Sequence, residues 1–260
     1  MLGAIAGDII GSVHEYSGIR CADFPLFVPD SGFTDDSVLT IAVADCLLSG
    51  APYVDKFHED TRAYPDRGYG LGFSRWVEFG SRDPYNSWGN GSAMRASPVG
   101  WALGTLEETL AEAARSAEVT HNHPEGIKGA QATASAIFLA RHGESKAGIR
   151  GFIQERFGYD MNRTVESIRP GYSFDESCQG TVPEAIIAVL DSTDYENTIR
   201  LAISLGGDAD TLACIAGGIA EAFYGGVPKD IAERAMAKLD DELRKTVERF
   251  YEAYGMILLR

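Results

Sequence analysis

The stretch Ser204-Leu-Gly-Gly-Asp-Ala-Asp-Thr211 joins an apolar segment to a long run of small residues. Its two adjacent glycines permit a sharp turn that a residue with a side chain would obstruct. Asp208 and Asp210 are two residues apart, and this spacing points side chains to different sides of a continuous helix. The pattern therefore predicts that Asp208 lies in a loop. Asp210 and Thr211 are predicted at the mouth of a buried helix over residues 213–224.

A second acidic stretch, Phe33-Thr-Asp-Asp-Ser37, also precedes an apolar helical pattern. Thr34 is predicted to cap this helix, with Asp35 and Asp36 in its first turn. Capping alone explains either stretch, because Asp, Ser and Thr are favoured at helix N-termini and carboxylates suit the helix dipole. Together, however, the two stretches supply four carboxylates and two threonine hydroxyls. Such an all-oxygen set suits Mg²⁺ or Mn²⁺ rather than zinc, and without cations the carboxylates would repel one another.

The composition indicates one large acidic domain. The chain has 260 residues, of which 45% are hydrophobic, so it is long enough to bury a substantial core. Lys and Arg number 23 against 38 Asp and Glu, which gives a net charge of −15. Such a charge repels nucleic acid and anionic membranes, so nonspecific binding to DNA is not expected. An anionic substrate would need a locally built site.

The sequence also predicts where the protein acts. Its four cysteines are scattered without a CxxC pair, which is typical of reduced thiols in a cytoplasmic protein. Asp8 interrupts the apolar N-terminal run and no basic region precedes it, so no signal peptide is expected. No stretch reaches the roughly 18 apolar residues of a membrane span. A cytoplasmic protein is therefore predicted, and its oligomeric state stays open.

Helical periodicity recurs along the whole chain, whereas the alternation typical of strands is weak. No linker, repeat or low-complexity segment divides the chain. The sequence therefore predicts a single all-α domain over residues 1–260 with a dozen or so helices. Two of these helices are predicted within the charged, amphipathic tail, residues 229–259.

The apolar N-terminal stretch, residues 2–13, is predicted to be a helix. Gly3, Gly7 and Gly11 are four residues apart on one face, which indicates close contact with another helix. Asp8 lies within this helix. Its plainest role is to pair with a nearby loop, because buried acids are normally paired.

Two further motifs precede predicted helices. Gly89-Asn-Gly-Ser-Ala-Met-Arg95 leads into a predicted helix over residues 93–103. Backbone N–H groups at such a place favour anions, so a diphosphate could bind there, although a plain helix cap explains the motif equally well. It lacks the Gly-Lys-Ser/Thr ending of a Walker loop. In Thr120-His-Asn-His-Pro-Glu125, a histidine at a helix start is more often structural than a ligand.

Taken together, five motifs resemble the ADP-ribosylglycohydrolase family, the group typified by dinitrogenase reductase-activating glycohydrolase. In order they are Gly-Ala-Ile-Ala-Gly-Asp-Ile-Ile-Gly at 3–11, Phe-Thr-Asp-Asp-Ser at 33–37, Gly-Asn-Gly-Ser-Ala-Met-Arg at 89–95, Thr-His-Asn-His-Pro-Glu at 120–125 and Gly-Gly-Asp-Ala-Asp-Thr at 206–211. The resemblance covers essentially the whole chain. It implies an all-α fold and two Mg²⁺ or Mn²⁺ ions in a cleft. It also implies hydrolysis of the bond between C1 of the distal ribose of ADP-ribose and a protein side chain or related acceptor.

The resemblance implies roles for individual residues. The implied metal ligands are Thr34, Asp35, Asp36, Asp208, Asp210 and Thr211. The implied substrate-binding residues are Gly89, Asn90, Gly91, Ser92, Met94, Arg95 and His121. The implied catalytic residues are Glu15, Asp35 and Asp36. The expected partner is ADP-ribose or an ADP-ribosylated protein.

Glu15 opens a long loop that the turn residues predict over residues 14–33. A glutamate after a helix is usually only solvated. Glu15 nevertheless resembles the glutamate of the family branch that acts on serine-linked ADP-ribose, polymers and O-acetyl-ADP-ribose, which favours an O-linked acceptor. We hypothesise that Glu15 covers the metal pair when no substrate is bound and acts on the water or leaving oxygen during the reaction.

Two other interpretations use part of the same pattern. A phosphatase of the haloacid-dehalogenase type also has an Asp-x-Asp motif with Mg²⁺, but it needs a strand ahead of the first Asp, and residues 199–205 are short and contain alanine. A non-catalytic relative that only binds ADP-ribose would keep the fold. Loss of the ligand acids would mark such a relative, and this chain retains them.

Overall fold

The computed structural model describes residues 1–258, and this part of the chain contains fifteen helices and no β-strand. The helices are Leu2–Gly11 (α1), Asp35–Ser49 (α2), Tyr53–Ala63 (α3), Leu71–Glu78 (α4), Gly91–Met94 (α5), Ser97–Ala102 (α6), Leu106–Glu118 (α7), Pro124–Arg141 (α8), Lys146–Phe157 (α9), Val165–Ile168 (α10), Cys178–Asp191 (α11), Tyr195–Ile203 (α12), Ala209–Tyr224 (α13), Lys229–Lys238 (α14) and Asp241–Ala253 (α15). The all-α prediction is confirmed. Two helices occupy the tail, as predicted, and Leu259 lies outside the described residues.

Helices α1 and α13 form the centre of the core. Every residue of α1 is buried, and α13 is the helix that it contacts most extensively. A Cβ atom at Gly7 would lie 2.5 Å from the carbonyl carbon of Ala213, and one at Gly11 would lie 2.5 Å from Cα of Asp210. These distances are shorter than van der Waals contact, so only glycine fits. The predicted glycine face of α1 therefore brings its backbone against α13, beside the second acidic stretch.

Several helix bounds differ from the sequence prediction. The helix expected over residues 93–103 is divided into α5 and α6, because Pro98 has no N–H group to donate and lies in the first turn of α6, where that group is not needed. The helix predicted over residues 213–224 begins four residues earlier, at Ala209 of α13, and the first helix ends at Gly11 rather than at residue 13. Helix α11 begins at Cys178. The hydroxyl of Ser177 caps it by accepting a hydrogen bond from the backbone N–H of Gly180, and Pro183 is accommodated inside the helix.

Two further properties bear on the sequence predictions. All four cysteines are free. Within residues 1–258, every helix is too short or too polar to cross a membrane.

We expect Gly7→Ala to lower the free energy of unfolding by about 1–3 kcal/mol, because its methyl group would meet the α13 backbone. Urea denaturation would measure this loss. Gly151→Ala is the matched control, because Gly151 lies on the exposed face of helix α9 with no atom within 4 Å of the added Cβ. That change is expected to be neutral or to stabilise by up to about 1 kcal/mol. Equal stability of the two variants would contradict the proposed contact.

Candidate active site

The two acidic stretches meet at one cavity with a volume of about 360 Å³. The predicted site residues that line it are Glu15, Thr34, Asp35, Asp36, Gly89, Asn90, Gly91, Met94, Arg95, His121, Asp208, Asp210 and Thr211. The hydroxyl of Thr211 donates a hydrogen bond to Oδ1 of Asp36 over 3.3 Å, so the stretches are in direct contact. The structure thus brings together side chains that are about 170 positions apart in the sequence.

Asp8 of α1 holds the first acidic stretch in place. Its carboxylate accepts hydrogen bonds from the backbone N–H groups of Thr34 (3.0 Å) and Ser37 (3.1 Å), and from the hydroxyls of both residues. The pairing of Asp8 with a nearby loop is therefore confirmed. Thr34 also caps α2 as predicted, since its hydroxyl oxygen accepts a hydrogen bond from the backbone N–H of Asp36 over 3.2 Å. Burial raises the pKa of Asp8 to about 6, although its hydrogen bonds oppose this shift.

The second acidic stretch turns at Gly206, whose φ of 73° lies in the left-handed region that favours glycine. Asp208 follows as the last residue before α13, as the sequence predicts. Asp210 and Thr211, predicted just ahead of the helix, lie inside it, because α13 begins at Ala209. Oδ2 of Asp208 accepts a hydrogen bond from the side-chain amide of Asn90 over 2.6 Å. This bond joins the glycine-bearing motif directly to the acidic stretch.

Glu15 lies beside the second stretch. Carboxylate oxygens of Glu15, Asp208 and Asp210 lie within 4.8 Å of one another. Glu15 itself is half-buried, whereas the two aspartates are buried. Three carboxylates at this spacing form a group that could hold a cation.

The carboxylates of the two acidic stretches and of Glu15 repel one another. Burial raises the pKa of Asp36 and Asp210 well above the usual value, and repulsion from neighbouring carboxylates adds to the shift. Burial also raises the pKa of Glu15, with smaller contributions from Asp208 and Glu176. Oδ2 of Asp36 is buried, and no group within residues 1–258 forms a hydrogen bond with it. A cation bound here would relieve the repulsion and pair with this oxygen.

The glycine-bearing motif forms one wall of the cavity. The backbone N–H of Asn90 donates to the carbonyl oxygen of Glu176 over 2.7 Å, so this group is already occupied. Helix α5 is a single turn, so its dipole contributes little to anion binding here. Ser92 differs from the other predicted site residues, because it does not line the cavity. Its hydroxyl donates to the carbonyl oxygen of Gly126 over 2.7 Å and so binds the motif to α8.

His121 lies against the same wall. Its Nδ1 shares a hydrogen bond of 2.7 Å with the hydroxyl of Thr120. Its Nε2 would be 3.2 Å from a Cβ atom placed on Gly91, so a side chain at that position would crowd the imidazole. Burial, with the nearby Arg95 charge, holds the pKa of His121 well below its usual range. The imidazole is therefore neutral at physiological pH.

Arg95 is a buried cation at the cavity wall. Its Nη2 donates to the carbonyl oxygen of Ser116 (3.0 Å) and to the hydroxyl of Thr120 (2.9 Å), and the guanidinium lies 4.3 Å from the centre of the Phe57 ring. Nε and Nη1 have no hydrogen-bond partner within residues 1–258. Burial lowers the pKa of Arg95 to about 10, so it stays charged near neutral pH.

Some lining residues were not predicted from the sequence. They include Gly68, Leu71, Tyr85 and Glu176. All four lie in or next to segments between helices, where no capping or periodic pattern distinguishes a lining residue from an ordinary loop residue. Tyr85 lies within the turn-rich segment that leads to the glycine-bearing motif, and this nearness in sequence is the feature that points to a place at the cavity.

The geometry defines an all-α protein with an acidic cavity at the N-termini of two helices. The chain belongs to the ADP-ribosylglycohydrolase family, whose model matches residues 1–257. It is 28% identical to the ADP-ribosylhydrolase ARH3 of Mus musculus, over 86% of this chain and 82% of that protein. It is 24% identical to the ADP-ribosylarginine hydrolase Tri1 of Pseudomonas putida (strain GB-1), over 90% of this chain and 72% of that protein. A solved structure titled "ADP-ribosylglycohydrolase-related protein complex" superposes with a TM-score of 0.68 and 24% identity, over 97% of both chains, which supports the fold.

We expect Asp36→Asn to stabilise the protein in the presence of a chelator at about pH 8, by about 1 kcal/mol or more. The raised pKa means that folding favours the protonated carboxyl, so the contribution of Asp36 to stability is lost as pH rises through its folded-state pKa. Asparagine stays neutral, so its advantage should shrink as pH falls toward about 5. Urea denaturation across this range would measure the change. Glu155→Gln, on the exposed face of α9, should change stability by less than about 0.5 kcal/mol at either pH.

Proposed function

We propose that this protein is a metal-dependent hydrolase that cleaves the glycosidic bond at C1 of the distal ribose of ADP-ribose. The reaction would release ADP-ribose from a modified protein side chain or a related acceptor. Membership of the ADP-ribosylglycohydrolase family supports the hydrolase class. The relatives named above are an ADP-ribosylhydrolase and an ADP-ribosylarginine hydrolase. The observation that carries the proposal is the meeting of both acidic stretches and Glu15 at one cavity.

The residues present suit a pair of divalent cations. We propose as ligands the side-chain oxygens of Thr34, Asp35, Asp36, Asp208, Asp210 and Thr211, which would hold two Mg²⁺ or Mn²⁺ ions. The set contains neither His nor Cys, and hard cations prefer oxygen. The unpartnered Oδ2 of Asp36 supports this assignment. When bound, such ions supply Lewis-acid chemistry and lower the pKa of a coordinated water.

Glu15 is proposed to transfer the proton. Loss of the acceptor from C1 produces an oxocarbenium-like state, and glycosidases commonly use a carboxylic acid to protonate the departing oxygen. Burial and the neighbouring carboxylates raise the pKa of Glu15, which favours the protonated form that can donate. Once ionised, the same carboxylate can accept a proton from the attacking water. The carboxylates of Asp35 and Asp36 lie at the same cavity and would stabilise the positive charge that develops on the ribose.

The opposite wall is proposed to bind the nucleotide. Gly89, Gly91 and Met94 lie along it, and the absence of side chains on the glycines permits close approach of a ribose or diphosphate. Neutral His121 can share a hydrogen bond with a ribose hydroxyl. Among the lining residues that the structure describes, Arg95 is the only Lys or Arg, so it would offset part of the diphosphate charge. Asn90 lies on the nucleotide-binding wall and would also orient Asp208, to which its side-chain amide donates a hydrogen bond. Ser92 would hold the glycine-bearing motif against α8 and would not contact the substrate.

We propose an O-linked acceptor, such as serine or acetate, because Glu15 is present at the cavity. A panel of serine-linked, acetyl-linked and arginine-linked ADP-ribose, assayed with and without added Mg²⁺, would test both the activity and this preference. Release of ADP-ribose from none of them, with ADP-ribose still bound, would indicate a non-catalytic binding protein. Turnover of the arginine-linked substrate alone would contradict the O-linked assignment. The cytoplasmic location stays a prediction.

Mg²⁺ is expected to stabilise the wild-type protein by about 2.7 kcal/mol for each bound ion at a hundredfold excess over its Kd, with a matching rise in Tm. A chelator should abolish turnover, and Mg²⁺ or Mn²⁺ should restore it. Asp210→Asn should remove the Mg²⁺-dependent rise in Tm because the change removes a charged ligand, while Glu155→Gln should retain it. Undiminished turnover of the wild-type enzyme in the presence of the chelator would show that the reaction does not require a metal ion.

We expect Glu15→Ala to lower kcat on O-linked substrates by about 10²- to 10⁴-fold, the usual contribution of a general acid or base. The Kd for free ADP-ribose should change little, because the cavity wall that binds the nucleotide is intact. Single-turnover assays and calorimetric titration would separate the two effects. If Glu15→Ala keeps the kcat of the wild type, Glu15 does not transfer a proton in the reaction.

A further inference from the structure

Arg20 connects the segment that carries Glu15 to two other parts of the chain. Its guanidinium donates hydrogen bonds to the backbone carbonyl oxygens of Arg169, Tyr172 and Leu205, the last over 3.2 Å. Leu205 lies directly before the Gly-Gly turn of the second acidic stretch, and Tyr172 follows helix α10. One side chain therefore ties three separate segments together at the base of the Glu15 loop.

The glycine turn before Asp208 is packed between the same two segments. A Cβ atom at Gly206 would lie 2.7 Å from the carbonyl oxygen of Ile19, and one at Gly207 would collide with the ring of Tyr172. The residue next to Arg20 thus rests on one side of the turn, and a hydrogen-bond partner of Arg20 rests on the other. This packing fixes the position of the segment that carries Glu15 relative to Asp208.

A second contact links the segments near the solvent. Tyr16, directly after Glu15, stacks on Phe174 with ring centres 5.9 Å apart and an interplanar angle of 21°. Both rings are exposed, Tyr16 to 84% and Phe174 to 43%. Exposed rings exchange partners at low cost, whereas the Arg20 hydrogen bonds engage three backbone carbonyl groups. Arg20 is exposed as well, but its hydrogen bonds to three backbone carbonyl groups make it the stronger of the two contacts.

With no cation bound, electrostatics alone would move Glu15 away from the centre. Its carboxylate lies among those of Asp208 and Asp210, and no Lys or Arg in residues 1–258 forms an ion pair with it. Like charges at this spacing repel. The segment must be held by contacts outside the cavity.

We propose that Arg20 is a positioning residue that keeps Glu15 over the acidic centre, with the Tyr16–Phe174 stack as a second, weaker contact. The proposal rests on the proposed function in so far as Glu15 takes part in hydrolysis. The chemical basis is the planar guanidinium fork, which can engage several carbonyl oxygens at once.

The first test measures the segment itself, independently of activity. Hydrogen exchange of the backbone amides of residues 12–20 should be at least about tenfold faster in Arg20→Ala than in wild type. Arg200→Ala is the matched control, because Arg200 donates to the carbonyl oxygens of Ala22 (2.9 Å) and Phe24 (2.7 Å) in the same loop. It should accelerate exchange near residues 22–24 and leave residues 12–17 unchanged. Unchanged exchange of residues 12–17 in Arg20→Ala would overturn the proposal.

The second test is a double-mutant cycle with Glu15→Gln on an O-linked substrate. Arg20→Ala should lower kcat by about 10- to 100-fold, since a shift of about 1 Å at the reacting group has an effect of this size. In the Glu15→Gln background it should lower kcat by less than about twofold, because the residue that it positions is already inactive. Arg20→Lys should recover part of the loss, and Phe174→Ala should have a smaller effect than Arg20→Ala. Equal effects of Arg20→Ala in both backgrounds would show that Arg20 does not act through Glu15.

Two binding measurements separate positioning from a loss of structure. The Kd values of Arg20→Ala for Mg²⁺ and for ADP-ribose should stay within about twofold of wild type. A loss of Mg²⁺ affinity would mean that Arg20 supports the Asp208 turn instead, and would overturn the proposal. If the wild type hydrolyses none of the substrates, the proposed function fails, and the exchange experiment still decides whether Arg20 holds the segment.

Discussion

The close contact between α1 and α13 is the constraint on which the site depends. Gly7 and Gly11 have no Cβ, so the backbone of α1 lies directly against α13 at Ala213 and Asp210. From the same helix, Asp8 accepts four hydrogen bonds from the stretch that begins at Thr34. One buried helix therefore sets the distance between the two acidic stretches. A larger residue on its glycine face would move both stretches apart, with no change to any side chain that lines the cavity.

Carboxylates are concentrated in the cavity at the expense of stability. Buried acids with raised pKa values are ionised only with difficulty, and each one added increases the repulsion felt by the others. The surrounding hydrogen bonds offset part of this cost, as at Asp8 and between Asn90 and Asp208. The remaining part is what a divalent cation would relieve, so the strain in the acidic centre and its proposed affinity for metal have the same origin. Glu15 adds a further negative charge, which explains why its segment needs an external hold such as Arg20.

Much of the local structure could be predicted from the sequence because its causes are local. The caps at Thr34 and the turn at Gly206 follow from the conformational preferences of threonine and glycine. The glycine face of α1 follows from a spacing of four. The division of the helix over residues 93–103 also has a local cause, Pro98, which the prediction of one continuous helix overlooked. By contrast, the orientation of Ser92 depends on a carbonyl group of α8, which no pattern near Ser92 reveals.

The sequence by itself determined the helical class, the identity of the acidic stretches and, through five ordered motifs, the resemblance to a family that the comparison with known proteins confirmed. Those features depend on residue type and short spacing. Only the tertiary structure decided that Asn90 bonds to Asp208, that Glu176 and Tyr85 line the cavity, and that Arg20 joins three segments. These contacts link residues far apart in the chain, and their geometry is set by how helices pack. Packing depends on the whole core, so no local pattern encodes it.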